Sequence, residues 1–218
     1  ICLIIDDFGY SENDLTRDFL TLDNDFTISI IPGHKYSEDI AHLASKYGFE
    51  TIVHMPLEPF NWDGETEKKY QLTSKMNFDE VFLRVENAFN EIPSAVGMNN
   101  HQGSKASESL QLLKNLARSL KVLDKYFIDS YTSIDSRAFI TMRQHGVKTE
   151  VRQLFLDHEE NPDSVRNKIN QLVQMAGKMD VVVGIGHVKL VTYNILKEEI
   201  PRLKKEGYEF LNASEIVR

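Results

Sequence analysis

The chain has 218 residues, 41% hydrophobic and 27% charged, with a formal net charge of −8. That length suits one α/β domain, 1–218, with a sizeable core, and the acidic balance argues against nucleic acid as a partner. The single cysteine, Cys2, excludes an internal disulfide, and no apolar run has the length of a membrane helix.

The first stretch, Ile1-Cys2-Leu3-Ile4-Ile5, runs into Asp6-Asp7-Phe8-Gly9. A short apolar run stopped by a turn signal reads as a strand buried on both faces. Because the sequence begins inside this strand, we expect a further N-terminal portion ahead of Ile1, with room for a secretion signal or membrane anchor. A helix over Glu12 to Leu22 follows, capped by Ser11 or Asn13. Phe26–Ile31 is a second strand stopped by Pro32-Gly33, and Ser37–Tyr47 is a helix ended by Gly48. Thr51-Ile52-Val53 is a third strand running into His54-Met55-Pro56-Leu57-Glu58-Pro59.

Phe60 to Met76 is polar and irregular and reads as a loop over one end of the sheet. Phe60 and Trp62 within it have the chemistry to stack on a sugar ring. Phe78–Ile92 forms a helix with Phe82, Val85 and Phe89 aligned. Ser94–Met98 is a fourth strand, ending in Asn99-Asn100-His101-Gln102-Gly103-Ser104, and a helix over Ser107–Val122 comes next. Tyr126–Ile128 is a fifth strand, ending in Asp129-Ser130, with a shorter helix at Ile134–His145. Val147–Leu156 contains a sixth strand ending near Asp157. Pro162 opens a long helix, Val181–Gly186 is a seventh strand ending at His187, and a last helix to Lys205 precedes a possible edge strand at Tyr208–Leu211.

Strands and helices alternate throughout, which predicts a largely parallel sheet with right-handed crossovers. All C-terminal strand ends then face one way, so Asp6-Asp7, His54, Asn99-Asn100-His101, Asp129 and His187 should converge on one rim. Singly, a strand-end histidine or an Asp-Ser cap is ordinary structure; five such coincidences are harder to explain that way. A carboxylate and two imidazoles are a common ligand set for a catalytic zinc with an open position. The remaining aspartate of the pair would take a proton from water and His187 would protonate a leaving group, which is a hydrolysis of an ester or amide without a covalent intermediate. His34 and His158 also follow strands and are weaker candidates for the rim. Gly184-Ile185-Gly186 lacks the third glycine of a phosphate cradle, and no Gly-x-Ser-x-Gly elbow is present.

Taken together, Ile4-Ile5-Asp6-Asp7-Phe8-Gly9, His54-Met55-Pro56-Leu57-Glu58-Pro59, Gly97-Met98-Asn99-Asn100-His101-Gln102-Gly103-Ser104, Phe127-Ile128-Asp129-Ser130 and Gly184-Ile185-Gly186-His187 resemble the divergent polysaccharide deacetylase family. That family is a branch of the NodB-homology carbohydrate esterases. The resemblance implies a distorted (β/α) barrel of about seven strands, a divalent metal such as zinc, and removal of N- or O-acetyl groups from a cell-envelope polysaccharide. Carried over, Asp6 is the base, Asp7 and His54 are metal ligands, His187 is the acid, and Asp129 orients a neighbour. Leu57-Glu58 stand where the mainstream esterases place a second ligating histidine; His101 is the expected replacement, with Glu58 the alternative. Asn99, Asn100, Ser104, Glu58 and Trp62 are the expected substrate contacts. The family also implies a secreted, periplasmic or cell-surface location. Two rival readings keep the fold: a non-catalytic glycan-binding envelope protein, and a metal hydrolase of a different amide or ester.

Overall fold

The computed structural model describes residues 1–23, 25–61 and 67–218. Trp62, one of the expected substrate contacts, lies outside the described residues.

Eight strands form one sheet in the order β6-β5-β4-β3-β2-β1-β8-β7, and all seven ladders are parallel. The strands are β1 (Cys2–Phe8), β2 (Thr27–Ile30), β3 (Thr51–Leu57), β4 (Ala95–Gln102), β5 (Tyr126–Asp129), β6 (Thr149–Val151), β7 (Leu154–Phe155) and β8 (Val183–His187). Helices α1 (Asp14–Phe19), α2 (Ser37–Lys46), α3 (Phe78–Glu91), α4 (Leu110–Val122), α5 (Ala138–Gln144) and α6 (Pro162–Ala176) make the crossovers, and α7 (Leu190–Lys205) and α8 (Ala213–Ile216) follow the last strand.

The expected single sixth strand is two strands, at opposite edges of the sheet. Only Arg152 and Gln153 separate them, so at about 3.8 Å per Cα step the two edges lie within roughly 11 Å of each other. The sheet must therefore curl into a barrel with one unpaired seam. The two linking residues bridge it: Arg152 N–H donates to Asp129 O at 3.0 Å and Gln153 N–H donates to Val183 O at 2.9 Å. The expected edge strand at 208–211 reduces to a single bridge between Leu211 and Cys2.

Alternation along the strands divides the molecule into two apolar regions. Leu3, Ile5, Ile28, Ile30, Val53 and Phe127 pack outward against the helices. Cys2, Ile4, Ile52, Ile128, Val183 and Ile185 fill the barrel interior, where Ala213 and Ile216 of α8 plug the N-terminal end. The plug is pinned by Ala213 N–H on Thr27 Oγ1 at 3.0 Å and Ser214 N–H on Glu50 Oε1 at 3.1 Å. With the bottom sealed by apolar packing, the inward positions at the other end, Asp6, Ser29, His54 and Asn99, are polar. They line the mouth at that end of the barrel.

Candidate active site

Asp6 and Asp7 are neighbours in one strand, and strict alternation would send them to opposite faces. The β1–β2 register slips between Ile5 and Phe8, and Asp7 adopts φ 70°. That left-handed conformation costs a non-glycine residue about 1–2 kcal/mol, and it turns the Asp7 carboxylate back over the mouth beside that of Asp6. Gln102, at the end of β4, and Tyr131, just past β5, also have positive φ, so backbone strain gathers at this rim, as it does at functional sites elsewhere.

Asp7 Oδ1 lies 3.4 Å from His54 Nε2 and 3.3 Å from His101 Nδ1, and the two ring nitrogens are 3.1 Å apart. These three donor atoms form a nearly equilateral triangle. Ligand atoms about 2.0–2.1 Å from a tetrahedral zinc are separated by roughly 3.3 Å, so the triangle has the dimensions of three corners of such a site. Asp7 Oδ1 is buried and has no hydrogen-bond partner.

The proton positions point the same way. Asn99 is fully buried and Nδ2 donates to Asp6 Oδ1 at 2.8 Å. A carboxylate only accepts, which fixes the amide orientation. Asn99 Oδ1 therefore accepts from Ser29 Oγ at 2.7 Å and faces His54 Nδ1 at 2.7 Å. His54 carries its proton on Nδ1, and in its neutral form leaves Nε2 bare towards Asp7 and His101.

A buried group of this kind calls for positive charge. Burial would lower the His54 pKa, but Asp6 and then Asp7 overcome it and raise it to about 9. Burial would raise the Asp7 pKa, but His101 and His54 hold it well below the ordinary carboxylate range. Among the described residues this is the one cluster of three or more such groups with converging ligand atoms.

On the adjacent strand, His187 stands opposite Asp6 in the β1–β8 register. Its Nδ1 is 2.6 Å from Asp157 Oδ1, and Asp157 Oδ2 accepts from His187 N–H at 2.7 Å and from Thr192 Oγ1 at 2.5 Å. Burial would lower the His187 pKa, but the Asp157 contact raises it above its ordinary value. Asp157 is shifted the other way: burial would raise it, and His187 lowers it. Phe155 stacks on the His187 ring with centroids 5.6 Å apart, so Nε2 is the ring nitrogen left to face the mouth.

The structure thus brings Asp6, Asp7, His54, His101 and His187 together, with Asn99 hydrogen-bonded behind Asp6 and His54, and gives Asp129, Glu58, Asn100 and Ser104 other partners. Asp129 points away from the barrel interior. It accepts from Tyr131 N–H, Ser136 Oγ and Phe139 N–H at 2.8, 2.8 and 3.2 Å, and so anchors the turn before α5. The carboxylate that orients a histidine here is Asp157, not Asp129. Glu58 takes Ser74 N–H and Oγ, both at 2.8 Å, and Lys105 Nζ at 2.7 Å, far from a ligand's role. Asn99 and Asn100 are 0% and 2% exposed, and the amide groups of both are engaged by neighbouring protein groups. Asn100 instead latches loops, accepting from Ser130 N–H at 2.9 Å and donating to Gln102 O at 2.8 Å. Ser104 Oγ accepts from Phe60 N–H at 3.1 Å and ties the loops after β3 and β4. Gly103 is required between them: its φ is 91°, and a Cβ there would lie 2.6 Å from Leu57 Cβ.

Asp157 was legible in principle, because it follows the apolar run Leu154-Phe155-Leu156 just as His187 follows its strand. His158 is exposed. His34 packs against Tyr10 with ring centroids 4.2 Å apart and the planes tilted by 56°, and lies 3.5 Å from Glu67.

A parallel α/β barrel of this kind is the fold of the NodB-like carbohydrate esterases. The family model for divergent polysaccharide deacetylases matches residues 3–217, and the chain belongs to that family. It is 28% identical over 203 residues to the uncharacterized protein YibQ of Escherichia coli strain K12, covering 93% of this chain and 63% of YibQ. The chain therefore spans somewhat under two thirds of that relative's length. Among solved structures it resembles the uncharacterized protein ATU2773 of Agrobacterium tumefaciens C58, with TM-score 0.93 and 17% identity over 99% of this chain and 88% of that one. It also resembles BA3943 of Bacillus anthracis, described as a CE4 family pseudoenzyme, with TM-score 0.57 and 13% identity over 99% and 63%. These likenesses show the fold; turnover has to be argued from the site itself.

Proposed function

We propose that this chain is a metal-dependent hydrolase that removes N- or O-linked acetyl groups from a cell-envelope polysaccharide. Asp7, His54 and His101 hold zinc or another divalent cation, Asp6 is the general base and His187 the general acid. The observation that carries this reading is the triangle of Asp7 Oδ1, His54 Nε2 and His101 Nδ1, with a buried carboxylate on one side and an aspartate-paired imidazole on the other.

A bound divalent cation supplies Lewis acidity, which acidifies water towards neutral pH and polarises a carbonyl. Asp6 is steadied through Oδ1 by Asn99, and its Oδ2, 3.6 Å from His54 Nε2, accepts the proton that water gives up on adding to the acetyl carbon. His187, held through Nδ1 by Asp157, donates from Nε2 to the departing sugar nitrogen or oxygen. The sugar amine or alcohol leaves, and acetate remains. Base and acid sit opposite each other on adjacent strands, which places an acyl group lying between them within reach of both. The acetylated glycan and a secreted, periplasmic or cell-surface location belong to the same proposal.

The test is acetate release from N- and O-acetylated glycans by the zinc-loaded protein. Release that chelator abolishes, and that Asp6→Asn loses while keeping its zinc, is the expected result. Glycan affinity without turnover and insensitive to chelator would instead support a binding protein, and activity confined to phosphoesters would overturn the deacetylase reading.

A further inference from the structure

Glu67 lies in the stretch read from sequence as an irregular loop, yet its side chain is only 3% exposed. Its backbone is at φ 59°, and the turn is held by Tyr70 and Gln71 N–H on Glu67 O, both at 3.0 Å. A buried carboxylate needs partners. Its Oε1 accepts from the Tyr10 hydroxyl and lies 3.5 Å from His34 Nε2, while its Oε2 lies 3.6 Å from His101 Nε2. Burial and the Glu67 carboxylate push the Tyr10 phenol up, so it stays a donor. One oxygen of Glu67 is thus fixed by residues of the loops after β1 and β2, and the other is aimed at the back of a histidine from β4.

We propose that Glu67 is the positioning residue for His101, holding the proton on Nε2 so that Nδ1 is presented bare to Asp7 and His54. This rests on the metal site proposed above. A carboxylate accepts and cannot donate, so an imidazole facing it turns its N–H that way and leaves the opposite nitrogen as the ligand atom. Asn99 does the same for His54 from the other side. Each histidine of the triangle then has its own acceptor behind it, and the two come from different strands and loops. Outer partners of this kind set both tautomer and ring orientation of metal-binding histidines.

The experiment combines zinc titration by calorimetry with long-range proton–nitrogen NMR of the histidines, on wild type, Glu67→Gln and Tyr10→Phe. Wild type should show His101 protonated at Nε2 and zinc bound through Nδ1. Glu67→Gln should weaken zinc binding roughly 10- to 100-fold and give His101 a mixture of tautomers, with His54 unchanged; Tyr10→Phe should give a smaller loss in the same direction. Wild-type zinc binding with an unaltered affinity in Glu67→Gln overturns this proposal alone. So does zinc bound through His101 Nε2, a readout that needs only the wild-type protein. Failure of the wild type to bind any divalent metal overturns this proposal together with the metal site it rests on.

Discussion

Replacing Asn99 with alanine tests whether the mouth is organised by internal hydrogen bonds before substrate arrives. The substitution removes three bonds, to Ser29 at 2.7 Å, His54 at 2.7 Å and Asp6 at 2.8 Å. The partners are 0%, 2% and 1% exposed, so none can turn to bulk water. Each stranded polar group costs about 1–3 kcal/mol, an upper sum of roughly 3–9 kcal/mol. The vacated space is polar and near the size of one water, which would restore one or two of the bonds. A net loss of about 2–5 kcal/mol follows, or roughly 5–15 °C in Tm for a chain of this size. The assay is urea unfolding of the metal-free protein, with the midpoint lowered and the slope unchanged. The same variant frees His54 Nδ1, so zinc affinity should fall roughly 10- to 100-fold. A stability loss under about 0.5 kcal/mol, the range of ordinary surface changes, with unchanged zinc affinity would refute the clamp.

Three further outcomes are expected. Because Asp157 raises the His187 pKa, the acid should keep its proton above its ordinary range, and activity should fall only as pH rises through that elevated value; Asp157→Asn should move this alkaline limb of the kcat profile to lower pH, and an unmoved limb would remove His187 as the acid. The sign is the same for stability: the pair's contribution through His187 is complete below its ordinary pKa and is lost as pH rises through the raised one. His101→Ala should reduce zinc affinity by a large factor measured by calorimetry, whereas exposed His42→Ala should leave it intact; equal losses would mean the site is misplaced. Gly103→Ala forces a side chain into a left-handed turn against Leu57 and should lower stability by about 1–3 kcal/mol in chemical denaturation, drawing metal affinity down with it through neighbouring His101.

The strand-end rule made Asp6, Asp7, His54, His101 and His187 legible, because a parallel sheet delivers every such residue to one rim whatever its sequence separation. What the rule lacks is side. Period two along β4 sends Asn99 inward into the polar layer and Asn100 outward into a loop latch, and the amides of both are held by protein partners. Asp129 follows Ile128, an interior residue, and so faces α5; the unbroken apolar run Tyr126-Phe127-Ile128 carries no alternation to mark that side in the sequence. The split of 147–156 was not legible, because Arg152-Gln153 carries no glycine or proline to mark a change of edge. Glu67 lies ten residues beyond the last strand residue, and only tertiary packing shows that its carboxylate returns to His101.

The bulge in β1 has a consequence for how the site can move. It lets two successive residues, the proposed base and the proposed cation's carboxylate ligand, face the same rim, with their Cα atoms about 3.8 Å apart across one planar peptide. Any displacement of the rim that carries the ion carries the proton acceptor with it, in step. Because one peptide joins their Cα atoms, only the torsions of Asp6 and Asp7 themselves can alter the separation of the two carboxylates, whatever the loops around the opening do.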